Sequence, residues 1–175
     1  MKFVFPNQNY EEKAKDFIGE FDRYGSEIAG GAGLDKYLKS ATYQEWIDKV
    51  TAGIDIANVK EGKVPAFTYF YVREEDDKII GMITIRLALN DFLRKEGGHI
   101  GYCIRPTERR KHYGSTMLKE ALKFCNVIGL NEVIITCNKS NPASAGVIKN
   151  CGGQLDAEFY NETFGKTVQR YLIKN

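Results

Sequence analysis

HIGYCIRPTERRKHYGSTMLKEALKFCNVIG, residues 99–129, passes from a strand to a helix through a cluster of cations. HIGYCI has the apolar character of a buried strand and is cut off by Pro106, which cannot donate to a sheet ladder. Met117, Leu118, Ala121, Leu122, Cys125 and Ile128 then fall on one helical face, opposite Lys119, Glu120, Lys123 and Asn126, and Gly129 ends the helix. Between strand and helix stand Arg109, Arg110, Lys111, His112 and Tyr113, followed by Gly114, Ser115 and Thr116. A helix start exposes unpaired N–H groups and roughly half a positive charge. With cations beside it, a glycine open to close approach and two hydroxyl donors, it suits a pyrophosphate. A solvated basic turn ahead of an ordinary helix is the competing reading. No GK[ST] is present, so the loop is not a Walker motif.

Outward from this stretch the pattern alternates. AFTYFYVRE (66–74) and KIIGMITIRL (78–87) flank the acidic turn EEDD and form a hairpin whose second strand, apolar at nearly every position, belongs in the middle of a sheet. The polar loop around NDFLRKEGG leads into residues 99–106. After the helix, EVIITC (132–137) reads as a buried strand joined by a right-handed crossover. Asn141 before Pro142 marks a helix start, and that helix runs to about Asn150. LDAEFYNE and KTVQRYLIKN close the chain as a hairpin about the turn TFGK. Upstream, KFVF is a short strand, residues 9–24 an amphipathic helix, GSEIAGGAG (25–33) a mobile glycine-rich loop, and Tyr43, Trp46, Ile47, Val50 and Ile54 a second helix. The expected fold is α/β, in the order β-α-α-β-β-β-α-β-α-β-β.

The 175 residues, 43% hydrophobic and 12% aromatic, suffice for one folded domain. The 25 basic and 23 acidic residues leave a net charge of +2, and the basic cluster of residues 105–123 lacks interleaved surface aromatics, so nucleic acid is not the expected partner. No apolar run approaches the ~20 residues of a membrane span, and MKFVFPNQNY lacks signal-peptide regions, so a cytoplasmic location is expected. Cys103, Cys125, Cys137 and Cys151 show no CxxC spacing, read as reduced packing residues, and suggest no metal.

YCIRPTERRKHYGSTML resembles the phosphate loop of the GNAT acetyltransferase superfamily, an Arg or Gln followed by x-x-Gly-x-Gly/Ala, with Arg109, His112 and Gly114 at the pattern positions and His112 in place of the first glycine. ITCNKSNPASAGVIKNCGG (135–153) is similar to the superfamily's fifth-strand segment, whose Asn-x-x-Ser falls on Asn141 and Ser144; the two also make a capping pair without any ligand. GGHIGY with RLALND resembles a bacterial group of predicted acetyltransferases. The match is good over residues 65–175 and extends to the first sixty in element order alone.

The resemblance implies a single domain with a central mixed twisted sheet, helices on both faces and a splay between the fourth and fifth strands. It places acetyl-coenzyme A in that opening, its pantetheine arm on backbone near Cys103 and Ile104 and its diphosphate on residues 110–115. Residues 65–175 become the cofactor core and residues 1–64 the substrate side. The implied reaction is N-acetylation of a primary amine on a small molecule or a protein by direct attack, in a monomer or homodimer. The alternative is a non-catalytic acyl-coenzyme A binding or sensing protein. The superfamily's usual acid, a tyrosine seven residues after Asn141, is replaced by Ile148; Tyr160, or Tyr171, is then the candidate acid. His99, with an unperturbed pKa of ~6.5, is the candidate base, or else a strand-end histidine. Arg86 and Asn90 are expected near it, orienting the acceptor.

Overall fold

The computed structural model describes residues 1–162 and 165–175; Thr163 and Phe164, in the expected closing turn, lie outside the described residues. The strands are β1 (Lys2–Val4), β2 (Ala66–Arg73), β3 (Lys78–Arg86), β4 (Ile100–Ile104), β5 (Glu132–Asn138), β6 (Gln154–Asn161) and β7 (Lys166–Lys174). The helices are α1 (Glu11–Arg23), α2 (Leu34–Ser40), α3 (Tyr43–Ala52), α4 (Tyr113–Val127) and α5 (Pro142–Asn150). The expected order holds with one addition. LDKYLKS forms α2, a helix too short to show in the periodicity, and Thr42 separates it from α3 through a reciprocal capping box with Glu45.

The strands form two antiparallel sheets, β1-β2-β3-β4 and β5-β7-β6. The expected mixed sheet divides between β4 and β5, where a bridge between Gly98 and Ile135 replaces a ladder. β3 is buried along both faces, as its unbroken apolar run requires. Ile83, Ile85 and Ile100 pack with Met117, Leu118 and Leu122 of α4 and Ile148 of α5 on one face. Met82 and Cys103 pack with Phe17, Phe21 and Trp46 of α1 and α3 on the other. The four cysteines are unpaired, Cys103, Cys125 and Cys137 buried and Cys151 half-buried. No helix among the described residues is long and apolar enough to cross a membrane.

The glycine-rich segment 25–33, expected to be mobile, is packed. The Thr84 hydroxyl donates to the Gly30 carbonyl at 2.9 Å. Gly30 has φ +70°, and a β-carbon there would lie 2.1 Å from the carbonyl oxygen of Gly101, so two glycines face each other where the segment crosses β4.

α1 is tied to the end of β4 by a buried ion pair that sequence patterning does not reveal. Arg105, 2% exposed, donates to the Ile79 carbonyl, to Asp16 at 2.8 Å and to Glu20 at 2.9 Å. Glu20 also accepts from the Thr107 N–H and hydroxyl. Burial alone would raise the Glu20 carboxyl, but these donors outweigh it and hold it below the usual carboxylate range. Removing one member of such a pair strands a buried charge, so Arg105→Met should cost about 3–5 kcal/mol in denaturant-unfolding stability.

Candidate active site

The gap between β4 and β5 follows from hydrogen-bond phase. The Arg105 N–H donates to the Ile80 carbonyl at 2.8 Å, and β4 pairs with β3 in the register Met82 to Cys103. Alternation along an antiparallel ladder then turns the backbone groups of Gly101 and Cys103 toward β3 and those of Ile100, Tyr102 and Ile104 toward β5. On the facing strand, the Lys139 N–H bonds the Thr167 carbonyl in the β5–β7 register, which leaves Ile134, Thr136 and Asn138 facing β4. Cys103 is therefore not a pantetheine contact. Its backbone belongs to the ladder and its thiol is buried among α1–α3, whereas Tyr102 and Ile104 present the free edge.

One residue pins the closed end of the gap. The His99 N–H donates to the Ile134 carbonyl at 2.7 Å, and the Ile134 N–H donates to His99 Nδ1 at 2.9 Å. The His99 carbonyl meanwhile accepts from the Arg86 N–H at 2.8 Å, so the residue is bonded to both sheets. Gly98, at φ +65° and ψ −176°, makes the turn that permits this. With Nδ1 engaged as an acceptor, the neutral ring carries its proton on Nε2 and has no lone pair left for an incoming amine proton. Burial, and then the charges of Arg94 and Arg86, push its pKa below the ordinary value. The structure thus makes His99 a clasp, in place of the expected base.

The other catalytic candidates lie elsewhere. Arg86 Nη1 donates to the Gly97 and Gly98 carbonyls and braces the turn before β4. Asn90 is engaged at both ends of its amide, Nδ2 to the Gly62 carbonyl and Oδ1 from the Leu93 N–H, so it caps the 93–97 turn instead of orienting an acceptor. Tyr160 is 64% exposed on β6, with β7 between it and β5. Its neighbour Phe159 lies under Lys95 of the 93–97 turn, so strand alternation sends Tyr160 to the opposite face of a strand that does not border the gap. Tyr171 is wholly buried and donates to Gln169 at 2.8 Å. Ile148 is core.

At the open end the cationic loop leads into the start of α4. α4 begins without a side-chain cap and without an acidic residue in its first turn. Arg110 and His112 both sit at φ +62°, a left-handed conformation that costs a non-glycine residue about 1 kcal/mol and that histidine tolerates better than most. Arg109 is fastened into the structure, with Nε to the Ile104 carbonyl, Nη1 to the Ser26 hydroxyl and its guanidinium over Phe21. Lys111 pairs with Glu108 at 2.9 Å, and Arg73 and Lys78 reach the same carboxylate. Glu108 is nearly buried; desolvation alone would raise its carboxyl, but Lys111 and Arg73 bring it below the usual range. Arg110 is exposed and holds no ion pair among the described residues. Gly114 is glycine for packing: a β-carbon there would point inward, 3.2 Å from Val147 and 3.6 Å from Ile104. Tyr113 is half-buried against the core and bonds Arg73, and the Ser115 carbonyl accepts from Cys151.

Across the gap, Asn141 Oδ1 caps α5 by accepting from the Ser144 N–H at 3.0 Å, so the capping reading of the pair is realised. The Ser144 hydroxyl meets the Tyr102 hydroxyl at 3.1 Å, reached from β4. Sequence reasoning missed Tyr102 because a strand tyrosine inside an apolar run looks like core. It also missed Glu96, whose carbonyl accepts from the Thr136 hydroxyl at 2.8 Å and whose carboxylate accepts from Asn161.

A divided sheet, clasped at one end and faced at the other by an uncapped, cation-ringed helix start, defines an acyl-group transferase scaffold. The family model of the GNAT acetyltransferase domain matches residues 20–154, and the chain belongs to this family of acetyl-CoA dependent acetyltransferases. No curated protein matches it in sequence. Among solved structures it is similar to a spermidine N-acetyltransferase SpeG chimera from Vibrio cholerae and hSSAT, at 16% identity over 99% of this chain and 94% of that one, TM-score 0.68. It is also similar to RimL, a ribosomal L7/L12 α-N-protein acetyltransferase in complex with coenzyme A, at 15% identity over 98% and 92%, TM-score 0.70. The microcin C7 self-immunity acetyltransferase MccE, in complex with acetyl-CoA and AMP, matches at 16% identity over 99% and 91%, TM-score 0.68.

Because the folded pKa of His99 lies below its unfolded value, its contribution to stability is complete above about pH 6.5 and is lost as pH falls through the folded value. Urea unfolding between pH 8 and pH 5 should show a loss of stability in the wild type that is much reduced in His99→Gln, which removes the titration while keeping an acceptor for Ile134.

Proposed function

We propose that the protein is an N-acetyltransferase that moves an acetyl group from acetyl-CoA to a primary amine, with the β4–β5 gap as the cosubstrate channel. The observation that carries this reading is the pair of unladdered strand edges running from the His99 clasp to the bare start of α4. The residues fit the cosubstrate. Arg110 and the N–H groups of residues 113–115 receive the diphosphate, and the backbone of Tyr102 and Ile104 receives the pantetheine amides. Arg109 acts through the shape of the loop. The Tyr102 N–H, directed into the gap, is placed to polarise the thioester carbonyl in the manner of an oxyanion contact.

The acceptor approaches from the α1–α3 face, where the segment 25–33 overlies β4 and the 93–97 turn overlies β5. This assigns the substrate side to residues 1–64 and the cofactor core to residues 65–175. Glu27 and Lys166 pair at 2.8 Å across the two sides; both are exposed, so the bridge is worth under about 1 kcal/mol and opens easily. Glu96, whose backbone carbonyl accepts from Thr136 and whose carboxylate is held by Asn161, supplies that carboxylate for the acceptor's ammonium. With His99 engaged as a clasp, the amine loses its proton to water or arrives neutral. The polyamine and protein acceptors named for the similar structures are both primary-amine classes, and a small cationic amine fits the Glu96 carboxylate best.

Thiol release from acetyl-CoA over a panel of amines tests the activity; a protein that binds acetyl-CoA and releases no thiol with any amine is the non-catalytic binder instead. Glu96→Gln should raise KM for a cationic acceptor several-fold with kcat little changed. In calorimetric titrations, Arg110→Ala should weaken CoA binding roughly tenfold, more at low salt, while Lys119→Ala on the solvated face of α4 leaves it unchanged. Equal affinities for the two variants overturn the diphosphate placement.

A further inference from the structure

Tyr102 occupies a position that none of the groups discussed so far fills. Its backbone edge faces the gap, while its side chain leaves β4 on the α4–α5 face and crosses to the first turn of α5. There its hydroxyl lies 3.1 Å from the Ser144 hydroxyl and 3.4 Å from the Ser144 carbonyl. The Cys137 thiol of β5 also bonds Ser144, and Cys151 lies near, so hydroxyls and thiols gather where β4, β5 and α5 converge. Ser144 and Ile148 are one turn apart on the same helix face, so β4 delivers a hydroxyl beside a place where α5 itself offers only hydrocarbon.

A pantetheine arm lying along Ile104 and Tyr102 brings its sulfur into the stretch of gap between Tyr102 and the His99 clasp, since strand residues advance by about 3.3 Å each. We infer that Tyr102 is a catalytic residue whose hydroxyl donates a hydrogen bond to the sulfur of the departing thiolate, with Ser144 holding that hydroxyl in place. The inference rests on the reading of the gap as the acetyl-CoA channel. In the step it serves, the amine nitrogen bonds to the acetyl carbon, the carbon–sulfur bond breaks with its electron pair passing to sulfur, and the surplus proton on nitrogen goes to water or to sulfur.

Magnitudes decide between donating a hydrogen bond and giving up the proton. Burial pushes the Tyr102 hydroxyl up to about 12, whereas an ordinary thiol titrates near ~8.5. Full transfer from tyrosine to thiolate is therefore strongly uphill. A tyrosine that keeps its proton throughout the working range is, for the same reason, a permanent donor to developing negative charge.

The test needs no acceptor. CoA is bound to the wild type and to Tyr102→Phe, and the pKa of its thiol is read from thiolate absorbance in the ultraviolet against the protein alone, which removes the contribution of Cys137 and Cys151. A hydrogen bond donated to sulfur favours the thiolate, so the bound thiol should titrate about one to two pH units higher in Tyr102→Phe than in the wild type. CoA affinity at pH 6, where the thiol is neutral, should agree within about twofold. Equal bound pKa values in the two proteins overturn the inference, and so does loss of affinity at pH 6, which would make Tyr102 structural. If the wild type binds no CoA, the reading of the gap fails first and takes the inference with it, a result distinct from binding with an unshifted thiol.

Discussion

The paired hydrogen bonds between His99 and Ile134 are the constraint on which the rest of the site depends. Two sheets with opposed cores on their faces would either zip together along β4 and β5 or part altogether. His99 answers both backbone groups of Ile134, one with its own N–H and the other with its ring, and so consumes the one register position at which a ladder would begin. Because the ring takes the place of a backbone carbonyl, the next pair cannot follow in phase, and the edges diverge toward Ile104 and Asn138. Burial of the imidazole in its neutral form, beside Arg86 and Arg94, keeps the acceptor nitrogen unprotonated and the clasp intact.

The open end is set by charge pairs anchored away from the channel. Arg105 and Glu20 fix the last residue before the loop against α1, and Glu108 gathers Arg73, Lys78 and Lys111 one turn later. Of the three positive side chains that make the loop conspicuous in the sequence, Lys111 neutralises Glu108 and Arg109 serves the loop's conformation. The potential presented to a ligand therefore comes largely from Arg110 and the α4 N-terminus, a smaller and more local field than the composition of the stretch suggests.

The fold was legible because it is written in periodicity. The unbroken apolar run of KIIGMITIRL, the stop at Pro106 and the helical face from Met117 to Cys125 each have one inexpensive solution, and the element order followed. α2 escaped because seven residues make barely two turns. The segment 25–33 looked mobile because its glycines, which allow a close backbone crossing at Gly101, are also what a flexible loop contains. The cationic loop and the helix start after it were legible as a strand-to-helix motif, although Cys103 was assigned with the wrong hydrogen-bond phase, a property of register that no local sequence carries. The roles of the polar side chains around the gap were least legible. Polar residues at strand ends, His99, Arg86 and Asn90, proved to be satisfying backbone groups at the turn into β4, while Tyr102 was hidden by its resemblance to core.

The division of labour in this site explains why its side-chain chemistry is so hard to read. The contact assigned to the thioester carbonyl is a backbone N–H, and the contacts assigned to the pantetheine and much of the diphosphate are backbone as well. Their positions are fixed by the phase of β4 and the start of α4, and any residue in those places supplies them. Only stabilisation of the leaving sulfur and reception of the ammonium call for particular side chains, and either can be delivered from any element that borders the gap. A scaffold that fixes its electrophile with backbone leaves the sequence free to move its remaining hydroxyl from α5 to β4. With Tyr102 as the inferred donor to sulfur, an isoleucine in the core at position 148 and a tyrosine reaching across from position 102 are two halves of that same exchange.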